Sequence, residues 1–336
     1  MIIRRAFHPI ASSSIHPSLT YWSTLRPIGC SYSSSSSSTS PSSGPSFISP
    51  VLYCKQQVQK FDHEAYLASY FFPAGRPREA FWALRALNME LATIPETVSN
   101  VAIGQIRMQF WRDVIRDISN GIPPSSHPIA NALAMTSDPK TVDLTAYYLN
   151  QMLDAREESL GSPPYPTLTQ LLVHLSQTQT PMTLLSLSLV TPNPTPTSQS
   201  ALQHLSLSTG LASLLLSLPF HASNRKLPAI PLDIASRCGL VAEELFRKGH
   251  EAKGLDDAVF EVACRARDEL ETAKLDWKDK GKIPKAELPV YLSAVSVESY
   301  LDRLQAANFN PFEPSLQKPS WRTPLDVWLM WRRRTI

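Results

Sequence analysis

From residue 51 onward the apolar positions recur at steps of three and four, the spacing that lines one face of a helix. Strict alternation, the mark of a strand, is scarce. Ala80, Phe81, Leu84, Leu87 and Leu91 predict one long helix that ends before Pro95. A second is expected from an Asn100 cap to Gly121, with Ile103, Ile106, Phe110, Trp111, Val114 and Ile118 on its inner face. A third spans 139–160 and stops at the turn that begins with Gly161, and a fourth covers 167–190. Alternating prolines make 191–197 an exposed connection. A strongly apolar helix over 201–218, with Leu211, Leu214, Leu215 and Leu218, suits the middle of a bundle. Later helices are expected over 242–248, 255–281 and 285–308. Long amphipathic helices joined by short connections predict an all-α fold, one helical bundle.

Composition narrows this picture. Hydrophobic residues make up 43% of the 336, enough for a sizeable core, while Gly is sparse (11) and Pro abundant (29). Neither a Gly-rich dinucleotide fingerprint nor a phosphate-binding P-loop is present, so no cofactor is expected. A net charge of +3 is too small to imply nucleic acid as a partner. Cys30, Cys54, Cys238 and Cys264 lack CxxC spacing and read as inert thiols rather than a disulfide framework. No uninterrupted apolar run reaches the ~20 residues of a membrane span.

The N-terminal stretch has its own character. No acid precedes Asp62, and Arg4, Arg5 and Arg26 lie among apolar residues ahead of the serine run 33–38. Arg-rich, Ser-rich and acid-free is the composition of a mitochondrial transit peptide. The expected organisation is a targeting and Ser-rich segment over 1–50, a helical domain over 51–308 and a Trp/Arg-rich tail over 309–336. In that tail Trp328, Trp331, Arg332, Arg333 and Arg334 fit two readings: a segment lying on anionic lipid, or a terminal helix docked by its tryptophans.

Candidates for chemistry are few. Asp113 and Asp117 form a literal DxxxD, which can hold a diphosphate-bridging cation, but Arg112 and Arg116 alternate with them and predict a self-paired, solvated strip. Asp154, Arg156 and Glu157 lie between apolar flanks and are expected to form a buried ion-pair cluster. His174, His204, His221 and His250 show no metal-ligand spacing. No catalytic residue and no metal ligand is assigned from these patterns.

The run Ala80 to Glu96, containing Ala-Phe-Trp-Ala-Leu, resembles the first aspartate-rich helix of the squalene/phytoene synthase family. Gln109 to Arg112, His127 to Ala130 and Leu153 to Leu160 resemble later family segments, and Gly210 to Pro231 resembles the context of its second acidic motif. The likeness covers about residues 60–305 in family order. It implies the isoprenoid-synthase bundle, with Ala92 and Glu96 at the first acidic motif and His221 and Arg225 at the second. It further implies that the motif carboxylates are lost, because neutral or cationic groups cannot neutralise a magnesium cluster. Within the family the chain resembles a non-catalytic mitochondrial branch that helps assemble respiratory complex I. That branch implies an early, membrane-arm role on the matrix side of the inner membrane, with complex I subunits or other assembly factors as partners. Two alternatives stand beside it: a divergent prenyl-diphosphate synthase with Asp113, Asp117 and Glu96 as ligands, and a lipid-binding module that keeps the prenyl cavity.

Overall fold

The structure, a computed structural model, describes residues 48–336 except 99, 125, 139–141, 162–163, 227–229, 279 and 319. The targeting segment expected over 1–50 therefore lies almost wholly outside the described residues. Among them, every regular element is helical. The order is α1 (Pro50–Phe61), α2 (His63–Ser69), α3 (Arg76–Thr97), α4 (Val101–Ser119), α5 (Pro128–Thr136), α6 (Val142–Glu158) and α7 (Leu168–Ser188). There follow α8 (Pro196–Ser223), α9 (Leu232–Cys238), α10 (Ala242–Lys248), a 3-10 turn at Gly249–Glu251, α11 (Leu255–Lys278), α12 (Leu288–Tyr291), α13 (Ser293–Ala306) and α14 (Thr323–Arg333).

Side-chain caps set several starts. The side chains of Asp62, Asn100, Thr167 and Thr195 each accept a first-turn amide, satisfying donors that have no partner inside the helix. Helix α8 packs chiefly on α11 and α7, and its Leu205, Leu211, Leu215 and Leu218 are buried. Its apolar length would suffice to cross a bilayer, a property the run-by-run reading missed. Half of that stretch is buried in the bundle, as in the core helix of a globular protein. Helices α1, α3 and α5 pack together on one side, while α4 joins α7 through α6.

The structure corrects four expectations. Pro95 and Pro219 lie inside α3 and α8 rather than ending them, while α7 runs through Pro181 as its expected span requires. Each ring removes one ladder bond, a local cost that burial of the surrounding leucines outweighs. Helix α8 begins within the expected connection, at Pro196, because a proline at the first helical position needs no donor. The helix expected over 285–308 is broken into α12 and α13. On α4 the inner face is Gly104, Met108, Trp111, Val114 and Ile115; Ile103, Ile106 and Phe110 are exposed. Gly104 explains the rotation: a Cβ there would sit 3.0 Å from Leu160, so the bare backbone approaches the end of α6 closely.

The Ser/Thr-rich stretches of α7 and α8 stay helical because their hydroxyls bond back along the helix. Thr183 donates to the Gln179 carbonyl, Ser186 to Met182, Ser206 to Leu202, Thr209 to Leu205 and Ser213 to Thr209.

Candidate functional site

Phe81, Arg85, Asn88, Ala92 and Glu96 are spaced three or four apart and form one stripe along α3. Ser206, Thr209, Ser213 and His221 run similarly along α8. The His221 imidazole near the end of α8 feels the Glu96 carboxylate at the end of α3: burial lowers its pKa, Glu96 opposes that and nearby Lys226 adds to it, with a net lowering. Ala92 is exposed one turn before Glu96. Arg225 lies just beyond α8 in left-handed conformation (φ 52°) and reaches Glu243 at 3.0 Å.

These four residues do not suit a divalent cation. Only Glu96 offers a carboxylate, Ala92 offers no donor, and Arg225 is a cation already committed to an acid. Among the described residues no group of three or more His, Cys, Asp or Glu could hold a metal.

Deeper in the bundle is a cavity of about 180 Å³, lined by α2, α3, α7, α8, α12, α13 and α14. That is smaller than the ~300–1,000 Å³ of ordinary ligand pockets. Asp62 caps α2 and also pairs with Arg85 across one wall. Glu64 faces the same space; burial raises its carboxyl pKa, opposed by a hydrogen bond with Ser296. Most of the remaining polar lining consists of hydroxyls, including Thr183, Ser186, Ser206, Thr209 and Ser213. Asp62, Glu64 and Arg85 were missed at the level of sequence, although Arg85 falls on the stripe that leads to Glu96.

The DxxxD strip is self-paired as expected: Arg116 bonds Asp113 at 2.9 Å and stands 3.6 Å from Asp117. Arg112 instead crosses to α6 and pairs with both Asp154 and Glu157. This corrects the buried cluster expected on α6, since Asp154 and Glu157 are satisfied near the surface by a residue from another helix. Arg156 alone is buried, its guanidinium bonded to Asn88. His204 stands 2.6 Å from buried Glu269, which Arg265 also engages. His127 packs edge-on against Trp111, and burial lowers its pKa. Cys54, Cys238 and Cys264 are free thiols, and burial pushes Cys54 up to about 12, which makes it inert.

At the C-terminus α14 packs on α13, with Thr323 and Val327 facing the cavity. Met330 is buried, and Trp331 meets Phe71 at a ring separation of 4.9 Å. Trp328 is turned the other way and is exposed.

The family model for squalene/phytoene synthase matches residues 58–328, through most of α14. The chain belongs to the squalene/phytoene synthase family. Among curated relatives it is 32% identical to rat NADH dehydrogenase (ubiquinone) complex I, assembly factor 6, over 88% of this chain and 86% of that one. The human protein of the same name is 31% identical with the same coverage. The Drosophila melanogaster homolog is 30% identical over 76% of each chain. Solved structures agree on the fold. A dehydrosqualene synthase superposes with a TM-score of 0.68 at 16% identity, over 83% of this chain and 94% of that one. Squalene synthase HpnC of Alicyclobacillus acidocaldarius gives 0.64 at 13% identity, over 78% and 95%. The all-α isoprenoid-synthase bundle expected from the sequence is thereby shown.

Proposed function

We propose that this chain is a non-catalytic assembly factor for mitochondrial respiratory complex I, acting at an early membrane-arm stage on the matrix side of the inner membrane. The observation that carries the role is the likeness, over most of both chains, to proteins named for complex I assembly. The site supports the non-catalytic half of the reading. The motif positions and their neighbours offer one carboxylate (Glu96), a half-buried imidazole (His221) and the cations Lys226 and Arg225. Ionising a prenyl diphosphate requires cations to offset the developing charge, and the carboxylates to hold them are lacking there. The acid-free, Arg-rich start of the sequence supports the mitochondrial address. The partners are complex I subunits or other assembly factors, and α3 and α8 would serve as scaffold rather than as metal clamp.

Removing the gene from its host and resolving the respiratory complexes on native gels tests the role. Loss of assembled complex I, restored by wild type and by Glu96→Gln, is the expected result; normal complex I in the deletion strain overturns it. A divergent synthase would release diphosphate from prenyl diphosphates with magnesium and lose that activity with Asp113→Ala. No release is expected, since Asp113 is engaged by Arg116 and Gln109 on the outside of α4. The lipid-module reading requires a larger space than the 180 Å³ cavity of mixed polar and apolar lining described above.

A further inference from the structure

Helix α14 has two apolar faces, and the bundle uses one. Thr323, Val327, Met330 and Trp331 face inward. Leu325, Trp328 and Arg332, at three- and four-residue steps, form a second stripe on the opposite side, and Trp321 in the turn just before the helix is exposed as well. Trp321 is 83% exposed, Leu325 52% and Trp328 49%. Exposed tryptophans carry a large desolvation drive that nothing among the described residues satisfies.

Trp321 and Trp328 each carry a cation. The Arg322 guanidinium lies 5.6 Å from the Trp321 ring centre, and Arg332 lies 5.6 Å from that of Trp328. Beside the stripe, between α13 and α14, is an open groove of about 710 Å³ whose lining includes Trp321, Arg322 and Arg333. Two acids of that lining are already engaged: Glu298 by Lys274 and Asp302 by Arg267. A third basic residue of the groove, Arg303, bonds only backbone carbonyls, those of Ser299, Ser315 and Lys318. The face that remains is apolar in the middle and cationic at the rim, opposed by Asp326.

We infer that the outer face of α14 seats the protein on an anionic phospholipid surface, with Trp321, Leu325 and Trp328 entering the headgroup boundary and Arg322, Arg332 and Arg333 meeting phosphates. Indole rings favour that boundary because they join an apolar body to one hydrogen-bond donor, and arginines reach up from it to the phosphates. Of the two readings of the tail, the helix supports both at once, on opposite faces. Trp331 serves docking, while Trp321 and Leu325 stand on the outer side expected for Trp331. The inference deepens the matrix-side reading yet is tested apart from it, because vesicle binding reports lipid contact and not assembly.

The test is co-sedimentation of the full chain with vesicles of phosphatidylcholine alone or with added cardiolipin. Arg4→Gln, Arg5→Gln and Arg26→Gln are carried in every arm, so that the basic N-terminal segment does not dominate. Roughly tenfold or greater preference for cardiolipin vesicles is expected, weakened by salt. Trp321→Ser, Leu325→Ser and Trp328→Ser together should reduce binding about tenfold or more, as loss of the interfacial apolar area requires. Arg322→Gln, Arg332→Gln and Arg333→Gln together should abolish the preference for cardiolipin. All six side chains are exposed or rim residues, so an unchanged thermal melt is expected for both variants. Equal binding to both vesicle types by the parent chain, no binding at all, or undiminished binding by the serine variant overturns the inference and leaves the face to a protein partner.

Discussion

Arg156 Nη2 donates to Asn88 Oδ1 at 2.7 Å, joining α6 to α3 through a guanidinium held out of solvent. Burial brings its pKa down to about 10, and among the described residues no carboxylate forms an ion pair with it. A buried cation compensated only by neutral groups costs stability, and removing its acceptor costs more. Asn88→Ala is therefore expected to lower stability by about 2–3 kcal/mol, the range for a hydrogen bond to a charged group. Arg156→Met, similar in volume and without charge, should leave stability unchanged or higher. Urea denaturation of both variants measures the contrast, and a strongly destabilised Arg156→Met would contradict it.

His174 lies beside the same guanidinium, and burial with that charge lowers its pKa to about 4. The unfolded chain binds the proton more readily, near pH 6.5. The stabilisation is accordingly complete above pH ~6.5 and is lost as pH falls toward ~4, a change on the order of 3 kcal/mol. His174→Gln should flatten the stability profile in that window, as followed by denaturation at a series of pH values. Arg156→Met should raise the His174 pKa, as read by NMR titration.

Gly254 and Gly75 both have positive φ, +74° and +86°. A Cβ on Gly254 would overlap the Cys238 carbonyl oxygen, a backbone atom that cannot step aside, whereas Gly75 has open space. Gly75, at φ 86° and ψ −143°, sits in a backbone region nearly confined to glycine, so Gly75→Ala should cost roughly 1–3 kcal/mol. Gly254→Ala should cost clearly more, or prevent folding at 37 °C. Thermal melts of the two variants side by side provide the comparison.

Glu96 raises the pKa of His221, while burial and Lys226 lower it. Glu96→Gln should therefore shift the imidazole titration to lower pH, and Lys226→Gln to higher pH. NMR of the His221 ring signal checks both, and an unmoved titration would separate the ends of α3 and α8.

The bundle was legible because its long helices carry repeated apolar stripes, as Phe81, Leu84, Leu87 and Leu91 do on α3. What escaped had tertiary causes. Pro219 is unfavourable to a helix locally, yet α8 runs through it because Leu215, Leu218 and Ala222 around it are buried. On α4 the more visible stripe, Ile103, Ile106 and Phe110, is not the buried one. Gly104 gives no hydrophobic signal but allows a close approach to Leu160. Arg156 sits among acids in the sequence and bonds none of them, since helical geometry turns it inward while Asp154 and Glu157 face Arg112. The positions of Glu96 and His221 were marked by family likeness; no local spacing indicates that one influences the other. In the tail, two tryptophans three residues apart read alike, and only the docked helix separates buried from free.

Pro95 stands directly before Glu96, and Pro219 two residues before His221. Each ring withdraws an amide from its helix, so the carbonyls of Leu91 and Leu215 lose their usual donor one turn upstream. Catalytic groups must be held to within about 0.5 Å of a productive geometry, whereas a docking surface is far more forgiving. The two rings therefore leave the last turns of α3 and α8 each one backbone hydrogen bond short, a looseness that a docking surface tolerates and a catalytic clamp would not.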